Sequence, residues 1–222
     1  MALCELLRSL LGRPQPDTDL PGPRVLVVLE GVFDIEFLRR ISRRLAADGA
    51  PVPDLAELEQ QGRLVFFPFG GDPCLWTDRL APFGLPEFHL YDRELPPETA
   101  RRRGAADHVN RRPGCRAVLT TKRALENYLH PQAISETCDV RVQLDDDAHV
   151  ADLIAEQQFR ARHDIDWQRL TRRAQQRWRN RVKKRLHTLA ADRMTWDRLT
   201  ECDPRGEVVL WLQDIEHLMG LI

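Results

Sequence analysis

Five consecutive aliphatic residues, Val25 to Leu29, stop abruptly at Glu30, and Gly31 and Asp34 follow. An apolar run without alternation predicts a strand buried on both faces, as in a parallel sheet. The period then changes. Phe33, Phe37, Ile41 and Leu45 recur every four residues with arginines between them, which predicts an amphipathic helix. A second strand is expected at 63–69, "RLVFFPF", ending in the turn "GGD", with a short helix around Leu75 to Leu80. "EFHLYDRE" reads as a third strand ending at Asp92, an Arg-rich helix covers 97–110, "CRAVLT" at 115–120 is a fourth strand, and "TKRALENYL" opens another helix. Strands and helices in strict alternation predict a parallel sheet with helices on both faces.

Beyond residue 131 the strand pattern stops. "DDDAHVADLIAEQQFRARH" reads as a helix with an acidic first turn, a long basic helix follows, and "EVVLWLQDIEHLM" closes the chain as a further helix. At the other end, "MALCELLRSLLGR" carries Glu5 and Arg8 inside its apolar stretch. That makes it an amphipathic helix and a poor signal peptide. "PQPDTDLPGP" at 14–23 holds four prolines and a glycine and is a linker. The expected divisions are therefore 1–23 for the N-terminal helix and linker, 24–131 for the α/β domain, and 132–222 for a helical, Arg-rich region.

In open parallel sheets, ligands sit outside the carboxyl ends of the strands. Glu30 ends the first strand and Asp92 the third, with Asp34 and Glu94 a few residues on. Carboxylates this close raise one another's pKa unless a cation neutralises them, and hard oxygen donors suit Mg²⁺ or Mn²⁺. Any one of these acids has a plainer use as a helix cap or surface charge, and Asp34 could cap the helix it starts. Taken together, at strand ends, they point to a cation site.

These residues carry a resemblance. "VLEGVFDIEFL" resembles the first motif of TOPRIM domains, in which a strand ends in Glu-Gly and an Asp follows three residues after the glycine. "YDRE" is similar to the Asp-x-Asp motif of that fold, while "KRALENYL" at 122–129 and the turn "FFPFGG" look like the TOPRIM of the OLD (overcoming lysogenisation defect) nucleases. The resemblance covers about 24–131. It implies an α/β, TOPRIM-like parallel sheet of about four strands with flanking helices, plus the helical C-terminal half. It also implies a two-cation nuclease nicking or cutting DNA: Glu30 as metal ligand or general acid-base group; Asp34, Asp92 and Glu94 holding one or two Mg²⁺ or Mn²⁺ ions; Glu126 joining them; and Lys122 stabilising the transferring phosphate. Lys122 and Glu126, four apart, would share a helix face. Two cations about 4 Å apart would activate water and stabilise the leaving oxygen.

Three departures bear on this. Glu94 stands where the motif has a second Asp, Tyr91 precedes Asp92, and no G-x-x-x-x-G-K-[ST] sequence supplies the ATPase that OLD nucleases usually carry. An ATPase encoded separately is therefore an expected partner.

Charge adds a second feature. The whole chain is nearly neutral, with 33 basic and 34 acidic side chains, which excludes a wholly basic nucleic-acid glove. Yet between Arg160 and Arg185 there are eleven Arg or Lys against two acids, around an apolar stripe of Trp167, Leu170, Ala174, Trp178, Val182 and Leu186. Such a helix is either a solvated face or a surface that tracks phosphates. The second alternative makes Arg172, Arg173, Arg177, Lys183 and Lys184 nucleic-acid contacts, with Arg101, Arg102 and Arg103 nearer the acids.

Asp145 to Asp147 are explained by the helix dipole, and His89, inside a strand, by the core. Seven histidines show no HxH or HExxH spacing, and five cysteines form no CxxC pair, so a structural zinc site is not indicated and a reducing cytoplasm is expected. No apolar run approaches the ~20 residues a membrane helix needs. Besides a nuclease, three readings stay open: a non-catalytic nucleic-acid binder, a subunit of a defence or plasmid-maintenance complex, and a different phosphotransfer such as primer synthesis.

Overall fold

A computed structural model of the chain describes residues 22–220. The expected N-terminal helix and most of the Pro-rich linker lie outside these residues. The elements, in order, are β1 (Val25–Leu29), α1 (Val32–Ala47), α2 (Leu55–Gln60), β2 (Leu64–Pro68), β3 (Glu87–Tyr91), α3 (Glu98–Val109), β4 (Cys115–Leu119), α4 (Pro131–Cys138), α5 (Val150–Arg160), α6 (Arg172–Arg185), α7 (Trp196–Cys202) and α8 (Glu207–Leu218).

The four strands form one parallel sheet in the order β2-β1-β3-β4. β1 is buried along its whole length because both of its faces are covered. Val25, Val27 and Leu29 face a core that takes in Phe37, Ile41 and Leu45 of α1 and the C-terminal helices, through Val182, Leu186, Trp211 and Leu212. Leu26 and Val28 face the smaller opposite core with Ala105, Ala106 and Val109 of α3. The two-residue period of the strand thus divides one aliphatic run between two layers. The Arg-rich region is helical as expected, and its apolar stripe closes over the same face of the sheet as α1.

Three local expectations need correction. Residues 122–129 do not open an α-helix: Ala124 is extended and a single tight turn, Leu125–Tyr128, leads to an extended Leu129. Asn127 makes the turn self-sufficient, since its Oδ1 accepts from the Ala124 N–H at 3.2 Å and its amide donates to the Asp145 and Ala148 carbonyls. Asp145 to Asp147 do not form a first helical turn, because α5 begins at Val150; they lie in the loop before it, where Asp146 pairs with Lys122 and Asp147 with Arg93. Instead of a helix around 75–80 there are two short 3₁₀ turns, Pro73–Leu75 and Ala81–Phe83, each started by a proline in its first positions.

The chain leaves β1 toward β2 on one side and returns to place β3 on the other. The crevice between the carboxyl ends of β1 and β3 is therefore the topological switch point, where open α/β sheets bind ligands.

Candidate active site

Three carboxylates meet at that crevice. Asp34 is the third residue of α1, Asp92 directly follows β3, and Glu126 comes from the turn after β4; each is 6% exposed or less. Gly31 caps α1 without a side-chain bond, so Asp34 does not cap the helix and its carboxylate is turned inward. Asp92 accepts the Leu125 N–H at 3.0 Å, which ties the end of β3 to the turn that carries Glu126.

Two cationic or ionisable groups from the basic helix enter this cluster. Lys183 Nζ lies 3.1 Å from Asp34 and 3.7 Å from Glu126. His187 lies in a π-helical turn, Leu186–Ala190, that continues α6. Its Nδ1 is 3.3 Å from Asp34 and its Nε2 is 2.9 Å from Glu126, so one fully buried imidazole lies between the two acids, although neither ring nitrogen makes a directed hydrogen bond. Turns of this kind often occur at functional sites. His187 was not among the sequence candidates. Its spacing of four from Lys183 was the available sign, since residues so spaced share a helix face.

The electrostatics follow from burial and proximity. Burial pushes the Asp92 carboxyl well above the usual range, and the Asp34, Glu126 and Glu30 carboxylates add to that, against the pull of Lys183. Burial would also raise Glu126, but His187 and Lys183 outweigh it and hold Glu126 below its ordinary value. Burial alone would lower Lys183. The three surrounding carboxylates reverse this and leave it charged at any ordinary pH.

The outer acids are held differently. Glu30 accepts from Arg102 at 2.8 Å, and Glu94 accepts from Arg123 at 3.1 Å. Glu94 has a left-handed backbone (φ 53°), which lets its own N–H donate to the Arg123 carbonyl at 2.9 Å. Lys122 points away from the cluster: its ammonium contacts the carbonyls of Asn127 (3.1 Å) and Cys202 (2.7 Å) and the Asp146 carboxylate (3.1 Å). Without a helix at 122–129, Lys122 and Glu126 share no face. Tyr128, beside Glu126, is buried too, donating to Glu207 at 2.8 Å and packing edge-on against Trp211. Of the Glu-Asn-Tyr signature, then, Glu126 faces the cluster and its two neighbours build the turn.

Among the basic candidates, Arg102 is buried against Glu30 and is no surface contact. Arg101 is exposed and pairs with Asp72, while Arg103, Arg172, Arg173, Arg177 and Lys184 are exposed and form no ion pair among the described residues.

A Mg²⁺ or Mn²⁺ ion suits the donors present, all of them hard carboxylate oxygens. Asp34 Oδ1 is buried at ion-pair distance from Lys183 and His187 yet accepts no directed hydrogen bond, a deficit that a cation would meet. Among the described residues no three His, Cys, Asp or Glu side chains stand as a ready metal-ligating group. In this arrangement the ammonium of Lys183 provides the balancing charge.

No protein-family model and no curated protein matches the chain. A solved structure does: the C-terminal region of the Xanthomonas campestris pv. campestris OLD protein, phased with iodine, superposes with a TM-score of 0.50 at 16% identity, over 90% of this chain and 97% of the other. The chain has an OLD-like TOPRIM fold. Platinum- and mercury-phased structures of the same region give TM-scores of 0.48 and 0.49. The α/β architecture expected from the strand pattern, a four-stranded parallel sheet with flanking helices, is therefore the architecture of this TOPRIM fold. No helix among the described residues is long and apolar enough to cross a membrane.

Proposed function

We propose that the chain is a divalent-metal-dependent nuclease that hydrolyses phosphodiester bonds in DNA. One observation carries the reading: three carboxylates from separate elements are buried together at the switch point of a TOPRIM fold, where an apolar core would have been the more stable choice. Asp34, Asp92 and Glu126 would hold the cation, with Glu30 and Glu94 next to them. One or two bound Mg²⁺ or Mn²⁺ ions would polarise a phosphoryl oxygen and lower the pKa of an attacking water.

The rest falls to the chain itself. Lys183, in this reading, takes the part that the resemblance implied for Lys122. It is charged and sits among the acids, so it can turn its ammonium toward a phosphate oxygen that gains charge in the transition state. His187 packs between Asp34 and Glu126 and fills the space that separates them. Exposed Arg172, Arg173, Arg177 and Lys184 would bind the phosphate backbone, and an ATPase, if one is needed, would come from another chain.

Supercoiled plasmid incubated with Mn²⁺ or Mg²⁺ tests this. The parent should nick or linearise it, and Asp92→Asn and Lys183→Met should not. A second reading, a non-catalytic nucleic-acid binder, draws on the fact that Lys183 already offsets part of the cluster's charge. It would be favoured if the parent binds DNA, leaves plasmid intact, and takes up no Mn²⁺ by calorimetry.

A further inference from the structure

Three arginines stand in a row early in α3, Arg101 to Arg103, and the middle one alone is turned inward. Arg102 lies on the buried stripe of that helix, ahead of Ala105, Ala106 and Val109 at helical spacing. The other positions of the stripe are apolar, yet here stands a guanidinium only 7% exposed. Its Nη1 donates to Glu30 Oε2 at 2.8 Å, while its Nε is buried and makes no hydrogen bond. An aliphatic side chain would suit the core better than a buried charge with an orphaned donor. Packing therefore does not explain the arginine, and its bond to Glu30 does.

Glu30 is held from two sides. Its backbone carbonyl accepts the Gly70 N–H at 2.8 Å, as that of Leu29 accepts the Phe69 N–H at 2.8 Å, so the turn after β2 pins the end of β1. That turn passes through Gly70 and Gly71 at φ 55° and 76°, which glycine alone adopts without strain. Arg102 then fixes the side chain from α3, on the opposite layer from Lys183. One carboxylate oxygen is taken. Oε1 makes no hydrogen bond among the described residues, and the side chain stays 35% exposed. Asp92, at the end of the neighbouring strand, has the same form: Oδ1 accepts the Leu125 N–H, and Oδ2 makes no hydrogen bond among the described residues. Carboxylates that ligate metals are arranged in this way, with an outer partner on one oxygen and the other left for the ion.

We propose that Arg102 is a positioning residue for the cation site: by holding Glu30 through Oε2, it leaves Oε1 to a divalent cation shared with Asp92. The proposal rests on the metal-dependent reading above and adds to it a residue from the far layer of the sheet.

The sign of one substitution tests it. If Arg102 acted through its charge alone, removing it would leave the acids more negative and Mn²⁺ would bind more tightly. If it positions Glu30, Arg102→Met should weaken Mn²⁺ binding by about 10- to 100-fold, the usual effect of losing an outer partner of a ligand. Isothermal calorimetry with the full chain and Mn²⁺ at pH 8 measures this, for the parent, Arg102→Met, Glu30→Gln and the double variant. The double variant should bind no more weakly than Glu30→Gln, because Arg102 acts through Glu30. Circular dichroism checks folding. Arg102→Lys keeps the charge but not the directed fork, and serves if the methionine variant does not fold; it too should bind more weakly than the parent. Either variant binding Mn²⁺ as tightly as the parent overturns the proposal and leaves the metal reading standing. So does a double variant weaker than Glu30→Gln. If the parent itself takes up no Mn²⁺, the metal reading falls, and this proposal falls with it.

Discussion

Replacing Lys183 with methionine separates a charge-balancing role from a merely packed one. The substitution keeps the length of the side chain and removes its charge, leaving Asp34, Asp92 and Glu126 buried without their shared cation. Removing one partner of a buried ion pair costs ~3–5 kcal/mol. The Lys183 side chain is 31% exposed, and solvent screening at that exposure brings the expected loss to about 2 kcal/mol. For a chain of this size each 1 kcal/mol moves the midpoint by ~2–4 °C, so a fall of about 4–8 °C is expected in thermal denaturation at pH 8.

The sign of the pH dependence follows from Asp92. Its folded pKa is raised, by burial first and then by Asp34, so the stability it contributes is present at low pH and is lost as pH rises through the folded value. Removing Lys183 raises it further. The gap between variant and parent should therefore narrow as the pH is taken from 8 to 5, when protonation relieves the repulsion. Millimolar Mn²⁺ at pH 8 should narrow it too, by binding the folded state. A variant as stable as the parent at pH 8, with a midpoint that moves with neither acid nor Mn²⁺, would refute the charge-balance argument.

Other substitutions test the surrounding structure. Asp92→Asn keeps an acceptor for the Leu125 N–H but loses the charge; thermal stability should hold or rise, while plasmid nicking falls by about 100-fold or more. Lys122→Ala frees two carbonyls and Asp146, and should lower stability by about 1–3 kcal/mol, with nicking lost only in proportion to the unfolded fraction. A separate loss of nicking at full stability would return Lys122 to the chemistry. On the opposite face of the sheet, burial pushes Glu87 up but His89 and Arg112 outweigh it, so its folded pKa is depressed. Its contribution is present above the unfolded pKa and lost as pH falls through the folded value. Arg112→Ala should therefore move the acid-unfolding midpoint, followed by circular dichroism, to higher pH.

How much was legible beforehand varies with the range of the interaction involved. β1 and α1 could be read because their periods are local: an unbroken aliphatic run, then apolar residues every fourth position. The carboxylates at the strand ends were legible for the same reason, as positions relative to a boundary. Lys122 shows the limit. Its spacing from Glu126 suits a helix, yet Asn127 offers the backbone a competing turn by bonding to Ala124, Asp145 and Ala148, and local side-chain bonds of this kind displace helices.

The basic helix shows the limit more fully. Periodicity placed Val182 and Leu186 in the core, as they are. It could not say which of eleven cationic residues would turn toward an acid some 150 positions earlier in the chain. By itself, then, the sequence determined the alternating strands and helices, the acids at their carboxyl ends and the existence of a cationic amphipathic helix, all of which depend on neighbours within a few residues. The tertiary structure alone decided that Lys183 and His187 complete the cluster, that Lys122 is a clamp, and that Arg102 is buried. Each of these depends on how α6 docks on α1 and on which buried carboxylate needs a partner once water is excluded.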